Sequence, residues 1–233
     1  VLHLTRDDLH VGGTIYGIQL RIGLPMALQY SITAIGTMMV QSALNILGST
    51  LVAAFTNLFA TGGAPLCAIA RGHGDNKKAK DIEAQTFTMQ ILVGLAIMCF
   101  LYIVKKPALY LLGASDVTYG YASSYISIYL IGTVFMMVGT GMNGFINLQG
   151  FPKIGMFSTM LGAAVNIVLD PIFIFVLGFG VKGAAVATVI SQFCSACFVT
   201  SFLFGRNVII HITIKDMLRL DFKLLKEIVT LGM

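Results

Sequence analysis

Runs of apolar residues about as long as a bilayer is thick constrain this chain more than any other feature of its sequence. A helix needs about 20 such residues to cross a hydrocarbon core of ~30 Å. Six runs approach or exceed that length, at 22–47, 51–71, 86–104, 123–147, 154–179 and 184–204. The second is short and interrupted by Gly62, Gly63 and Pro65. Charged residues make up only 11% of the chain, against about 25% in a soluble domain, so ions cannot coat its surface. A closed β-barrel would alternate in polarity over segments of about 10 residues, and these runs do not. The expected fold class is all-α, a polytopic membrane protein with about six transmembrane helices.

The net charge of +5 could suggest a nucleic-acid partner, but its distribution argues otherwise. With these spans the loops alternate between two sides, and every Lys and Arg except Lys105, Lys106 and Lys182 falls on one of them. The positive-inside rule then places both ends of the chain in the cytoplasm. We therefore expect a multi-pass protein of the cell membrane whose surroundings are lipid, with no nucleic acid bound. Cys194 and Cys197 form C-x-x-C within a predicted helix, with no His or second pair nearby. Together with Cys67 and Cys99 they read as small buried hydrophobes rather than a zinc or redox centre. No cleavable signal peptide is evident. The first apolar run is too long for one, and the chain begins with Val, which reads as truncation.

Between the spans, GHGDNKKAKDIEAQ (72–85) reads as a solvated inner loop in which Asp75 caps the helix entering the third span. It lacks the GxxxxGK spacing of a phosphate-binding loop. KKPALYLLGASDVTYGYA (105–122) reads as a longer outer connection broken by Pro107 and Gly113. The short turns LQGFPK (148–153) and VKG (181–183) make the last three spans antiparallel neighbours. Beyond residue 204, Leu218, Phe222, Leu225 and Val229 fall at helical spacing, with Lys215, Arg219, Lys223 and Lys226 on the complementary face. That pattern predicts a basic amphipathic helix, either lying on the inner leaflet or serving as a linker, before a further span opens. LHLTRDDL (2–9) is similar to IHITIKDM (210–217), so the chain ends much as it begins.

Inside the membrane one acid stands out. NIVLDPIFIF (166–175) carries Asp170 in an apolar run, where a carboxylate costs roughly 2.5–3.5 kcal/mol at the bilayer centre. Asn166 lies four residues before it, on the same helix face. Thr188 and Gln192 are likewise four apart on the next span. Counted from the turn near Gly180, both pairs sit roughly 12–15 Å deep at ~1.5 Å per residue. Pro171 has no N–H, so the helix should bend and free the carbonyl of Ile167. A carboxylate, an amide, a hydroxyl and a carbonyl are hard donors suited to Na⁺, and the carboxylate can instead take up H⁺. No other metal and no organic cofactor is expected. The competing reading is a polar cluster that holds two helices together, for which a lone acid is a poor choice.

Asn143 and Asn147, within GMNGFINLQG (141–150), either line the same cavity or cap the helix end. Met142 is one of 12 methionines, whose thioethers suit either a cavity that repacks around varied ligands or plain core filling. With Gln192, these are the candidate substrate-cavity residues. Tyr121, Tyr125 and Tyr129 form a stripe read as interfacial packing. No Ser-His-Asp, Cys-His or H-E-x-x-H arrangement is present, and Asp170 is the only carboxylate read as lying inside the membrane, so an enzyme is not expected.

NLFATGGAPL (57–66), ARGHGDNKKA (70–79), GMNGFINLQG (141–150) and NIVLDPIFIFVLGFGVKGAAVATVISQ (166–192) together resemble the MATE family, the multidrug and toxic compound extrusion transporters. The resemblance implies two six-helix lobes around a central cavity, exporting cationic or amphipathic compounds in exchange for Na⁺ or H⁺. By the same resemblance, Asn166, Asp170 and Thr188 match cation-site positions. Residues 57–204 resemble the N-terminal lobe, while 1–56 resemble the inter-lobe linker and seventh helix. The expected units are thus a six-helix lobe over 1–204 and a cytoplasmic linker over 205–233, with a second lobe in the parent protein. Gly48 stands where the family's first helix usually supplies another carboxylate, which puts Na⁺ affinity in question and leaves proton coupling through Asp170. The alternatives are a non-transporting rearranged fragment, or a flippase of lipids or polysaccharide precursors built on the same superfold.

Overall fold

In a computed structural model, residues 50–205, 208–219 and 221–233 are described. The expected first span 22–47, Gly48 and the linker-like residues 1–21 lie outside them. Among the described residues five helices are long and apolar enough to cross a membrane. They are α1 (Thr50–Gly72), α2 (Asn76–Leu111), α3 (Asp116–Leu148), α4 (Pro152–Pro171, continued by a π-turn to Val176) and α5 (Val181–Leu203). The short α6 (Ile214–Met217) and α7 (Phe222–Gly232) follow. No strand occurs among the described residues, and the fold is all-α.

Two expected connections shrink. The solvated loop at 72–85 reduces to a turn ending at Asp75, whose carboxylate accepts from the N–H of Lys78 at 2.9 Å and caps α2. Helix α2 then runs for 36 residues, about 54 Å at ~1.5 Å per residue, well beyond one bilayer core. It passes straight through Pro107, because one missing N–H does not end a helix. The stop comes at Gly113, whose φ of 92° turns the chain into a capping box built by Ser115 and Thr118. The supposed outer connection at 105–122 is therefore helical except around residues 112–115. At the other end of α3, Gly150 at φ 92° permits the Phe151 N–H to reach back to Ile146 O at 3.1 Å. Pro152 opens α4 directly.

Helix α3 is the hub, packed on α2 and α5, while α4 leans mainly on α5. Phe145, Ile146 and Met142 of α3 are fully buried with Ile82 and Leu203 in the main core. Helix α4 differs: its most apolar stretch buries no residue, and Ile167 and Phe175 are 72% and 79% exposed. Its bend takes a definite form. After Pro171 the helix continues as a π-turn over Ile172–Val176, with the Leu177 N–H on Ile172 O at 2.9 Å.

The segment after α5 docks on the lobe. Val208, Ile210 and Ile212 are buried while Ile209 and His211 are exposed, the period of two expected of an extended strip on an apolar surface. The continuous amphipathic helix expected here is interrupted, because Asp221 caps a fresh start by accepting from the N–H of Lys223 at 2.9 Å. Helix α7 consequently buries Leu224 and Ile228 against the core and leaves Phe222, like Leu218 before it, almost fully exposed. Gly62 of α1 and Gly232 of α7 let the two backbones touch. A Cβ on Gly62 would collide with Ile228 O, and one on Gly232 with Leu58 O. Gly62→Leu should therefore undock α7, seen as about a tenfold or greater rise in amide exchange over 222–232, since overpacking of this kind typically costs about 1–3 kcal/mol.

Two ion pairs tie the same segment to α2: Lys80–Asp216 at 2.7 Å and Lys78–Glu227 at 3.1 Å. Partial burial alone would raise the Asp216 carboxyl. The ammonium of Lys80 and the hydroxyl and amide of Thr213 outweigh that and hold it below its ordinary range. A carboxyl with a lowered folded value favours docking above its unfolded value and loses that contribution as pH falls through the folded one. Docking of α6 should thus weaken at acid pH, and Asp216→Asn should remove that acid limb in a titration followed by exchange at residues 214–217. The pair is partly exposed, so the coupling in a Lys80/Asp216 double-mutant cycle should be about 0.2–1 kcal/mol.

Candidate functional site

Asp170 sits one residue before the proline that redirects α4, and Asn166 one turn earlier donates from Nδ2 to its Oδ1 at 3.4 Å. Both are half-buried on a helix that is otherwise largely exposed. The helix packed mainly against α4 is α5. Gly183 of α5 lies so close to α4 that a Cβ there would stand 2.6 Å from Phe173 O. From that contact Asp170 is three residues back along α4 and Thr188 five residues on along α5. At ~1.5 Å per residue the two are level to within about 3 Å. The Thr188 hydroxyl donates to Ala184 O at 2.9 Å on its own helix. Its lone pairs remain available as acceptors. No hydrogen bond among the described residues joins Thr188 to Asp170, so the two pairs are neighbours in level rather than one bonded cluster.

Gln192 faces the other way, toward α3. Its Oε1 is buried with no hydrogen bond and fills the space beside Gly132 that a side chain would occupy. It borders an apolar cavity of about 140 Å³ with Tyr129, Thr133, Met136 and Lys105. Asn143 donates from Nδ2 to Gly155 O at 2.9 Å and to Ser158 Oγ at 2.7 Å, so it pins α3 to the first turns of α4. Asn147 packs its Oδ1 against Gly155, and both Asn residues border an open cleft of about 380 Å³. That cleft is lined without Asp170 or Thr188, and Asn143 bridges α3 to α4 rather than capping a helix end. Met142 has no exposed surface and belongs to the core rather than to a described cavity. Among the cysteines, Cys67 is buried with Sγ 3.5 Å from Ala79 O, whereas Cys99 and Cys197 lie exposed on the outside of the bundle, contrary to the expectation of burial.

The most consequential buried polar group lies in the stretch that the sequence reads as a solvated loop. Glu83 of α2 is 0% exposed, and both its carboxylate oxygens accept from Nε2 of Gln149, each at 3.1 Å. The Gln149 Oε1 in turn accepts from the N–H groups of Ile209 and Ile210, each at 3.0 Å. Close by, Arg71 donates from Nη1 to Leu148 O at 2.9 Å and closes the end of α3. Further along α2, Gln90 is also buried and donates to Thr56 O of α1 at 3.1 Å. Glu83, Thr86 and Gln90 are spaced three and four apart, the signature of one inward helix face. That spacing is legible in the sequence along the helix that Asp75 caps.

Fold and site together define a polytopic α-helical membrane protein with an acid–amide pair held on a broken helix. The MatE family model matches residues 22–172, and the chain belongs to that family, the MATE multidrug efflux transporters. The multidrug export protein MepA of Staphylococcus haemolyticus (strain JCSC1435) is 29% identical over 162 residues, covering 70% of this chain and 36% of MepA. An inward-facing structure of a multidrug resistance MATE family transporter of the MOP superfamily superposes with a TM-score of 0.77. It shares 26% identity and covers 86% of this chain and 46% of the transporter. The outward-facing form superposes with a TM-score of 0.73 at 25% identity. The chain thus spans about a third to a half of the length of these relatives.

Proposed function

We propose that the chain forms part of a cation- or proton-coupled antiporter that exports organic cations or amphipathic compounds across the plasma membrane. The observation that carries this reading is the Asn166–Asp170 pair at 3.4 Å, at the α4 break on a helix packed mainly against α5. An ionised Asp170 attracts a cationic substrate; a proton or Na⁺ arriving at the same group neutralises it and releases the substrate. Thr188 adds a hydroxyl acceptor at the same level, and irregular backbone beyond Pro171 offers carbonyl oxygens of the kind tolerated at depth only beside protein or a wet cavity. The basic loops set the orientation, with the face that carries the α6–α7 segment in the cytoplasm. The greater length of the relatives supports a second six-helix lobe as the partner that closes the central cavity. The test is thermal stability in detergent. The chain should be stabilised by Na⁺, by a pH step or by a cationic dye, and Asp170→Asn should lose that response while remaining folded. Equal shifts in both proteins would rule out Asp170 as the site.

A further inference from the structure

Gln149 is the joint of an unusual arrangement. Its single side-chain amide presents nitrogen to Glu83 on α2 and oxygen to two backbone N–H groups of the segment that follows α5. Gln149 is 2% exposed and Glu83 0%, so water does not substitute freely for any of these bonds. An amide nitrogen only donates, and a carboxylate only accepts. The arrangement is complete when Glu83 is charged, because both of its oxygens are then acceptors facing one NH₂ group.

We propose that Glu83 is a proton-binding site separate from Asp170, and that proton uptake there releases the 208–212 strip from the lobe. A proton arriving from the aqueous phase on that side binds one carboxylate oxygen and turns it into an O–H donor. The other oxygen stays a carbonyl acceptor, but the new O–H faces the Gln149 NH₂, which has no lone pair to offer it. Rotating the amide by half a turn satisfies the acid, since Oε1 then accepts from the new O–H. The same rotation swings NH₂ toward the N–H groups of Ile209 and Ile210, donor against donor, and the strip loses both anchors. The two states of one amide therefore correspond to docked and released backbone.

Among the described residues, the surroundings leave the switch to Glu83. From α1, Arg71 and the Cys67 thiol act on it electrostatically, and Arg71 Nη1 is already bonded to Leu148 O. From the end of α3 it meets Gln149 alone. The docked strip contributes backbone, with His211 turned outward and exposed. On α2 itself, Lys80 is occupied by Asp216.

Hydrogen exchange on the full chain, in detergent or nanodiscs, tests the proposal. The readout is exchange at the Ile209 and Ile210 amides, corrected for the intrinsic pH dependence, between about pH 5 and about pH 9. The wild type should show slow exchange at the alkaline end and about tenfold or faster exchange at the acid end, the size expected for losing a buried hydrogen bond. Glu83→Gln, an isostere of the protonated acid, should exchange fast at every pH. Gln149→Met keeps the carboxylate and the volume but removes the amide, and should also be fast and independent of pH. Asp216→Asn should keep the pH step, which separates it from the neighbouring ion pair. Corrected protection that does not vary with pH in the wild type, or wild-type behaviour in a folded Glu83→Gln or Gln149→Met, would overturn the proposal.

Discussion

Replacing Asp170 by Asn should reduce gradient-driven export of a cationic dye to the passive leak, with expression and membrane insertion unchanged. Asn preserves the size of the side chain and can still meet Asn166, whose Nδ2 now lies 3.4 Å from the acid. What it cannot do is carry a negative charge or exchange a proton. A hydrogen bond to a charged group contributes about 1.5–3 kcal/mol, so dye affinity should fall by roughly ten- to a hundredfold through loss of the charge alone. Coupling should fail altogether, because a ligand moves a conformational equilibrium only through its differential affinity for the two states. Efflux measured in proteoliposomes distinguishes the two effects: raised dye concentration restores binding but not coupling. Wild-type rates in the variant would sink the antiport reading.

Gly183→Val should damage the packing of α4 on α5 directly. The new Cβ would stand 2.6 Å from Phe173 O and 2.7 Å from Phe173 C, both backbone atoms at the π-turn. Neither can rotate aside, so α4 and α5 must separate or slide. Overpacking costs about 1–3 kcal/mol, which in a chain of this size lowers Tm by roughly 2–12 °C. The shift also moves Asp170 relative to Thr188, so the Na⁺- or dye-dependent part of the thermal response should shrink with it. Gly120→Ala is the matched control, since a Cβ there meets nothing within 4 Å. A Gly183→Val protein as stable as that control would show that the α4–α5 contact is looser than drawn.

Much of the architecture was legible because lipid imposes one rule: every spanning backbone must satisfy itself, so long apolar runs become helices. The runs at 51–71, 86–104, 123–147, 154–179 and 184–204 each correspond to a described helix. The Asp75 cap, the Asn166–Asp170 pairing and the short turn at Gly150 follow from local chemistry, and local chemistry is what a sequence displays. The failures are tertiary. Residues 76–85 carry enough charge to read as solvent-facing, yet one side of that stretch is buried by α1, by the end of α3 and by a strip more than a hundred residues later. The period-two burial of Val208, Ile210 and Ile212 depends on that same surface. Leu218 and Phe222 were grouped with Leu225 and Val229 by spacing, but Asp221 restarts the helix and rotates the buried face to Leu224 and Ile228. Pro107 was over-read as a breaker, when the positive φ at Gly113 does the breaking.

The nakedness of α4 bears on how the protein is made. Threaded into a bilayer by itself, this helix would offer its acid to acyl chains, at roughly 2.5–3.5 kcal/mol on insertion scales. Among the described residues, its successor brings the Thr188 hydroxyl to the same level. Ribosomal synthesis delivers α5 directly afterwards, after a turn of a few residues, so the pair should leave the translocation channel as a hairpin, with the acid already turned toward its neighbour. Lengthening that turn would postpone the rescue, and α4 should then linger at the channel or be cleared by quality-control proteases.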